Sequence, residues 1–132
     1  MEAINDLYAE LSPKNPKVIT MEDLEATLRG EHTVVGSFED GKLVSMGTVI
    51  VPIQRKLTHT VAFIDDLVTL QPYLRHGHGR RVMEMLIGRA TSFGIREIHL
   101  TSNDSREAAH ALYKSLGFVP RPTNKFILTL PR

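Results

Sequence analysis

The sequence predicts a mixed α+β fold, in which helices cover the faces of a mostly antiparallel sheet. Two observations carry this prediction. Segments with the apolar spacing of amphipathic helices alternate with short runs typical of strands. Between two of the strand-like runs, the dipeptide Asp40-Gly41 is a strong hairpin signal. The predicted order is helix, helix, hairpin, strand, helix, strand, helix, strand.

The first half of the chain supplies two helices and three strands. The first helix is amphipathic over residues 4–11 and stops at Ser12-Pro13, because proline disrupts a helix interior. Thr20 and Asp23 resemble a capping box and predict that a second helix begins there. Strands are predicted at residues 32–38, 43–52 and 59–70.

The second half alternates helix and strand. A helix is predicted from Gly79 to Phe93, with Gly94 after its end. A capping box of Asp104 and Glu107 predicts another helix, which ends before Gly117. The apolar stripe of the earlier helix is Val82, Met83, Leu86, Ile87 and Ala90. The remaining strands are predicted at residues 95–101 and 126–130.

Composition limits the classes of function. With 132 residues, 42% apolar and 23% charged, the chain is typical of one globular domain, and we predict a single domain over residues 1–132. A net charge of +1 gives no overall attraction to nucleic acid or an anionic membrane. The chain has no cysteine, which excludes disulfides, a thiolate nucleophile and cysteine-ligated metals. No apolar run approaches the roughly 20 residues of a membrane span. Because the absence of cysteine fits the cytosol, we expect a cytoplasmic protein.

A basic Gly-x-Gly turn lies between the third strand and the helix that follows it. Gly77 and Gly79 let the backbone approach a ligand closely. The first turn of a helix adds N–H donors and the positive end of a dipole. Arg75, Arg80 and Arg81 add permanent charge. The turn therefore predicts a site for a phosphate-bearing ligand, the alternative being a solvated basic turn.

Two common phosphate motifs do not fit this turn. The dinucleotide fingerprint requires a third glycine where Val82 stands. A P-loop requires lysine and then serine or threonine where the chain has Arg80 and Arg81. A different phosphate site is indicated.

Three ordered motifs carry a resemblance to a known family. They are the strand Ile64-Asp65-Asp66-Leu67-Val68-Thr69, the basic turn, and Ala109-His110-Ala111-Leu112-Tyr113-Lys114-Ser115-Leu116-Gly117-Phe118. The last fits the pattern A-x-x-x-Y-x-x-x-G-F at every fixed position. Over about residues 42–130 the chain resembles the GNAT superfamily of acyl-CoA N-acyltransferases. The resemblance implies the GNAT fold, acetyl-CoA as acyl donor and a small-molecule or peptide amine as acceptor.

The resemblance implies where the cofactor binds. The strand before the turn would pair with the pantetheine arm as if the arm were an extra strand, and the turn would hold the pyrophosphate, largely through backbone N–H groups. The residues implied are Leu67, Val68, Thr69, Leu74, Arg75, His76, Gly77, His78, Gly79, Arg80, Asn103 and Arg106.

The resemblance also implies two catalytic residues. Tyr113 matches the family's general acid, which protonates the departing CoA thiolate. Asp65 aligns with a family glutamate and would take the proton of the amine through a water, with Asp66 or water alone as alternatives. The structural alternatives are that Tyr113 belongs to an apolar helix stripe and that Asp65 is a solvated or hydrogen-bonded side chain.

The chain departs from the family pattern in three places. Leu74 stands where the turn usually carries glutamine or arginine, so Arg75 must substitute. Arg106 occupies a position where the helix often carries asparagine, and Asn103 is the nearest amide. Only three residues precede the first helix, so the family's first strand is missing or vestigial. The sheet edge that it would cover is exposed, shortened or paired with another chain, which makes a homodimer plausible.

Other interpretations follow from single features. His76 and His78 could ligate a metal, but no third ligand is evident, and we expect no metal. The leucine at position 74 and the missing strand leave open a non-catalytic acyl-CoA-binding module. A nucleic-acid-binding role for the basic turn is disfavoured by the net charge of +1. The sequence does not identify the acceptor amine.

Overall fold

The computed structural model describes residues 2–11, 21, 32–51, 61–102 and 107–131. The described residues form three α-helices, four strands and a short 3-10 helix. Met21, which is described without its neighbours, is also helical. The helices are α1 (Glu2–Leu11), α2 (His78–Ser92) and α3 (Glu107–Ser115), and the strands are β1 (His32–Glu39), β2 (Lys42–Ile50), β3 (Val61–Thr69) and β4 (Glu97–His99). The chain forms two compact units, Met1–Thr101 and Ser102–Arg132.

The sheet of the first unit has the order β1-β2-β3-β4. The first three strands are antiparallel, and β4 runs parallel to β3. The β1–β2 hairpin closes at the pair Glu39 and Lys42, around Asp40 with φ of 51° and Gly41 with φ of 78°. Positive φ at both turn residues is the geometry that Asp-Gly favours in two-residue hairpins. The mixed, mostly antiparallel sheet and its hairpin are confirmed.

Two helices cover opposite faces of this sheet. Leu7 of α1 is fully buried against Val44, Met46, Val68 and Leu70. On the other face, the apolar stripe of α2 packs so closely that a Cβ on Gly47 would lie 2.9 Å from Leu86 Cδ1. Successive strand residues point to opposite faces, so Met46 faces α1 and Gly47 faces α2. Of the predicted stripe, Val82, Met83, Leu86 and Ala90 are fully buried and Ile87 is partly buried.

The sheet is limited at both edges. The predicted strand over residues 95–101 is shorter in the structure, where β4 covers only Glu97–His99. Within the described ranges, no strand pairs with the outer edge of β1. The edge that the family's first strand would cover is therefore open in this part of the chain.

The second unit consists of α3 and an irregular segment. The predicted final strand over residues 126–130 is wrong, because this segment has no regular secondary structure. Four of its apolar side chains are 73–92% exposed: Phe126, Ile127, Leu128 and Leu130. Strand propensity reflects how well side chains fit a half-buried, paired surface. In the described residues this segment has no strand partner, so its alternating pattern does not produce a strand.

Some predictions fall outside the described residues. They are the second helix apart from Met21, the segment that joins the second and third predicted strands together with the ends of those strands at residues 52, 59 and 60, and the capping residue Asp104. No described helix has the length and apolar character that crossing a bilayer requires.

Candidate functional site

The sheet opens along the second half of β3. Pairing between β3 and β4 covers only three residue pairs and ends at Phe63 and His99. In the described part of the chain, no strand lies beside residues 64–69 on that side. A gap at this point can admit an extended ligand that pairs with a strand backbone.

A β-bulge coincides with this opening. On β2, Met46 pairs with Val68 and Thr48 with Asp65, so two β3 residues oppose Gly47 alone. Asp66 has a φ of 53°, a left-handed conformation uncommon for a residue with a side chain. Bulges bend the strand and redirect side chains, and they are over-represented next to active sites.

The bulge decides where the two predicted carboxylates lie. Asp65 is exposed and its Oδ1 accepts a hydrogen bond from the Asp66 N–H at 2.9 Å. Asp66 is partly buried. The simple expectation that these side chains point to opposite faces assumes a regular strand, and a strand with a bulge is not regular. Asp65 thus both stabilises the bulge and faces solvent.

The end of β3 is fixed to β2 by polar contacts. The fully buried Ser45 hydroxyl donates to the Val68 carbonyl at 3.1 Å and lies 2.8 Å from the Thr69 hydroxyl. The Leu70 N–H donates to the Val44 carbonyl at 2.9 Å. Because the Val68 side chain is buried, as is that of the neighbouring leucine, a ligand here would meet mainly the backbone.

The chain then makes the turn that the sequence predicts. A 3-10 helix over Gln71–Tyr73 leads to Arg75 with φ of 68° and Gly77 with φ of 85°. Gly77 is the N-cap of α2, and no side chain caps this helix end. The first-turn N–H groups of a helix have no intrahelical acceptor and carry the positive end of its dipole. This geometry suits an anion such as phosphate.

The arginines of the turn have different surroundings. Arg75 and Arg80 are exposed, and Arg80 lies 3.6 Å from Glu84 in a surface ion pair. Arg81 Nη2 donates to the His76 carbonyl at 3.2 Å and lies 3.2 Å from His78 Nδ1. Arg81 therefore braces the turn itself.

Leu74 contributes to the turn through its backbone. Its N–H donates to the Gln71 carbonyl at 3.2 Å, and 51% of the residue is exposed. An exposed leucine cannot replace the polar side chain that the family usually places there, and its N–H is already engaged. Charge at this point must come from neighbouring residues.

The two histidines of the turn converge on a residue that the sequence did not single out. Glu39 Oε1 accepts hydrogen bonds from His76 Nδ1 at 2.9 Å and from His78 Nε2 at 3.0 Å. His78 is only 2% exposed, and its Nδ1 lies 2.6 Å from the Ser37 hydroxyl. The hydrogen bonds from His78 and then His76 lower the pKa of Glu39. No local motif signals this contact, because 37 residues separate Glu39 from His76.

Tyr113 belongs to the second compact unit, where the end of α3 fixes its position. The Gly117 N–H donates to the Lys114 carbonyl and the Phe118 N–H to the Tyr113 carbonyl, at 3.1 and 3.0 Å. With Gly117 at φ of 97°, this is a Schellman motif. The buried ring of Tyr113 contacts that of Phe118, with 6.1 Å between centroids. The spacing Tyr-x-x-x-Gly-Phe thus has a structural basis: glycine closes the helix and phenylalanine packs on the tyrosine.

The site residues predicted from the sequence are distributed over both units. The β3 and turn residues lie in the first unit and form one continuous stretch from the opened strand to α2. Asn103 and Arg106 lie outside the described residues.

Comparisons with known proteins show the family and the fold of this chain. The model of the acetyltransferase (GNAT) family matches residues 1–118. A protein from Agrobacterium tumefaciens assigned as an acetyltransferase is 30% identical, with a TM-score of 0.84 over 97% of this chain and 92% of that one. No curated protein matches the chain at a significant level.

Two other solved structures share the fold at lower identity. An aminoglycoside acetyltransferase from an uncultured soil metagenomic sample, solved with sisomicin, is 20% identical with a TM-score of 0.82, over 98% of this chain and 90% of that one. AAC(6')-Iy, solved with the bisubstrate analogue CoA-S-monomethyl-acetylneamine, is 18% identical with a TM-score of 0.76, over 99% of this chain and 90% of that one.

Proposed function

This chain belongs to the GNAT family of acetyltransferases and is an acyltransferase, and we propose that it moves an acetyl group from acetyl-CoA to a primary amine. One observation carries the proposal. In the described residues, the second half of β3 has no strand beside it on the β4 side, and it leads through the turn to a helix start without a side-chain cap that suits a phosphate. An acyl-CoA presents both matching features, an amide-bearing arm and a pyrophosphate.

The cofactor binds along this continuous stretch. The pyrophosphate lies against the turn from Arg75 to Arg80, where the glycine conformation and the helix dipole favour an anion. The pantetheine amides pair with the backbone of residues 67–69, in the way a peptide adds to a sheet edge. Asn103 and Arg106 are assigned to the cofactor from the family resemblance alone.

The reaction is a direct attack by a neutral amine on the thioester carbonyl. The nitrogen forms a bond to the carbonyl carbon and gives a tetrahedral intermediate. Collapse of the intermediate breaks the carbon–sulfur bond and releases the CoA thiolate. The nitrogen must lose one proton, and the thiolate must gain one.

Tyr113 supplies the proton to the thiolate. A phenol has a pKa of about 10, close enough to that of a thiol, about 8.5, for its proton to pass to the thiolate as the carbon–sulfur bond breaks. The family motif and the fixed position of this side chain at the Schellman motif support the assignment. A ring held in place by packing can present its hydroxyl in one direction.

Asp65 accepts the proton of the amine through a water. Its carboxylate is exposed at the point where β3 opens, and the short side chain favours a bridging water over direct contact. The hydrogen bond from the Asp66 N–H keeps one carboxylate oxygen oriented.

The decisive experiment is a thiol-release assay with acetyl-CoA and a panel of amines. The panel contains aminoglycosides, amino sugars, polyamines, peptide N-termini and lysine peptides. Because this chain has no cysteine, a thiol reagent detects CoA without background from the enzyme. We expect acceptor-dependent release of CoA and a product heavier by one acetyl group. Binding of acetyl-CoA without turnover across the panel would instead indicate a non-catalytic binding module.

We also propose that two copies of the chain associate through residues 126–130. Four large apolar side chains are exposed in this segment, and its backbone has no strand partner in the described residues. Solvent-exposed apolar clusters of this kind mark interaction surfaces. Sedimentation should give a dimer for the wild type and a monomer for Ile127→Asp. A monomeric wild type at micromolar concentration would refute the assignment.

A further inference from the structure

We propose that Glu39, His76 and His78 form a binding site for a divalent transition metal, with Zn²⁺ as the best-fitting ion. The three side chains come from two distant parts of the sequence, the end of β1 and the turn before α2. Their ligand atoms all lie within 4.8 Å of one another. This inference concerns the metal alone and does not depend on the proposed acetyl transfer.

The donor set fits Zn²⁺ chemically. Two imidazoles and one carboxylate are ligands that zinc accepts at bonds of about 2.0–2.2 Å, with a fourth position left open. Tetrahedral bonds of that length separate ligand atoms by about 3.3–3.6 Å. Glu39 Oε1 now lies 2.9 Å from His76 Nδ1 and 3.0 Å from His78 Nε2. Around Glu39, an opening of a few tenths of an ångström therefore reaches the spacing that the ion requires.

The surroundings of His78 support a ligand role for this ring. Metal-bound histidines commonly donate their second N–H to an oxygen, which fixes the ring orientation. The Ser37 hydroxyl lies 2.6 Å from Nδ1 of His78 and can accept that bond, which leaves the Nε2 lone pair for a metal. Since His78 is 2% exposed, its ring is already held in this orientation.

One neighbour must change its contacts when the metal binds. Arg81 Nη2 lies 3.2 Å from His78 Nδ1 and can donate to this atom only while Nδ1 carries no proton. With a metal on Nε2, the proton moves to Nδ1, and Arg81 retains its bond to the His76 carbonyl at 3.2 Å.

The site is accessible from solvent. The side chains of His76 and Glu39 are 45% and 31% exposed, so an ion can enter and its fourth position can hold a water. A bound ion would connect the β1–β2 hairpin to the turn that starts α2. The metal would thus stiffen the turn.

The direct test uses the untagged full-length chain, stripped with a chelator and titrated with ZnCl₂ by calorimetry. We expect one Zn²⁺ per chain. At a hundredfold excess over Kd, the melting temperature should rise by about 5 °C or more. Co²⁺ in place of Zn²⁺ should give the visible absorption of a four-coordinate site.

Matched variants locate the site. Glu39→Gln keeps the size of the side chain and should weaken Zn²⁺ binding roughly tenfold or more. His76→Gln, at an exposed position, should do the same and serves if Glu39→Gln does not fold. The control is His99→Gln, which removes a histidine from the exposed pair of His99 and Glu97, 2.6 Å apart, and should leave affinity unchanged.

Two outcomes overturn the proposal. The wild type could bind less than one Zn²⁺ per chain, or the cluster variants could bind as tightly as His99→Gln. In either case the three residues form only a hydrogen-bonded cluster.

Discussion

Two helix ends carry a left-handed glycine and use it in opposite ways. Gly77, with φ of 85°, begins α2, and no side chain caps that end. Gly117, with φ of 97°, follows the end of α3, where a Schellman motif satisfies the final carbonyls. A helix start without a side-chain cap can bind a ligand, whereas a helix end that the chain closes itself can hold one side chain in place. The proposed roles follow the same division, with cofactor binding at the backbone of Gly77 and proton transfer by a side chain, Tyr113.

The largest expected effect tests the role of Tyr113, near the end of α3. Tyr113→Phe removes the hydroxyl and keeps the ring that packs on Phe118. We expect kcat to fall about a hundredfold or more, with the affinity for acetyl-CoA nearly unchanged. Steady-state kinetics with calorimetry separates the two quantities. Tyr73→Phe is the matched control, since Tyr73 lies outside the motif, and an equal loss in both variants would contradict the assignment.

The next largest effect tests the role of the backbone at Gly77, at the start of α2. Gly77→Ala places a Cβ in open space, so the cost is the left-handed φ alone, about 1–2 kcal/mol. The turn should relax away from this conformation, and the affinity for acetyl-CoA should fall about tenfold. Gly88→Ala is the control, because Gly88 lies within α2, also in open space, without a positive φ. Calorimetry that finds equal affinity in both variants would refute a backbone site.

The smallest effect tests whether the two glycines differ in role. Gly117→Ala also adds a Cβ in open space at positive φ, and should lower the free energy of unfolding by about 1 kcal/mol. Because this glycine closes the helix that carries Tyr113, kcat should fall less than in Tyr113→Phe while acetyl-CoA affinity stays constant. A loss of cofactor affinity as large as that of Gly77→Ala would mean that the two ends share one role.

Local features were predicted well from the sequence. The hairpin at Asp40-Gly41 and the buried stripe of α2 are both confirmed. Each depends on residues close in sequence, through turn chemistry in one case and helical spacing in the other. The left-handed conformation at Gly77 also depends on the residue itself, since glycine adopts it without steric cost.

Features that need a distant partner were not predicted. The bulge at Asp66 arises from the register against β2, which the composition of β3 alone does not reveal. The segment over residues 126–130 has a strand-like pattern but no strand, because strand formation requires a neighbour. The cluster around Glu39 requires the hairpin to meet a turn 37 residues later.

The sequence by itself determined the hairpin, the helix after the phosphate turn and the family, because periodicity, capping and glycine placement act over a few residues. Tertiary structure alone decided that β3 parts from β4 after Phe63 and that Glu39 joins His76 and His78. Both outcomes depend on how separate segments align across the sheet. That alignment is set by packing of the whole core, including the close approach of α2 at Gly47.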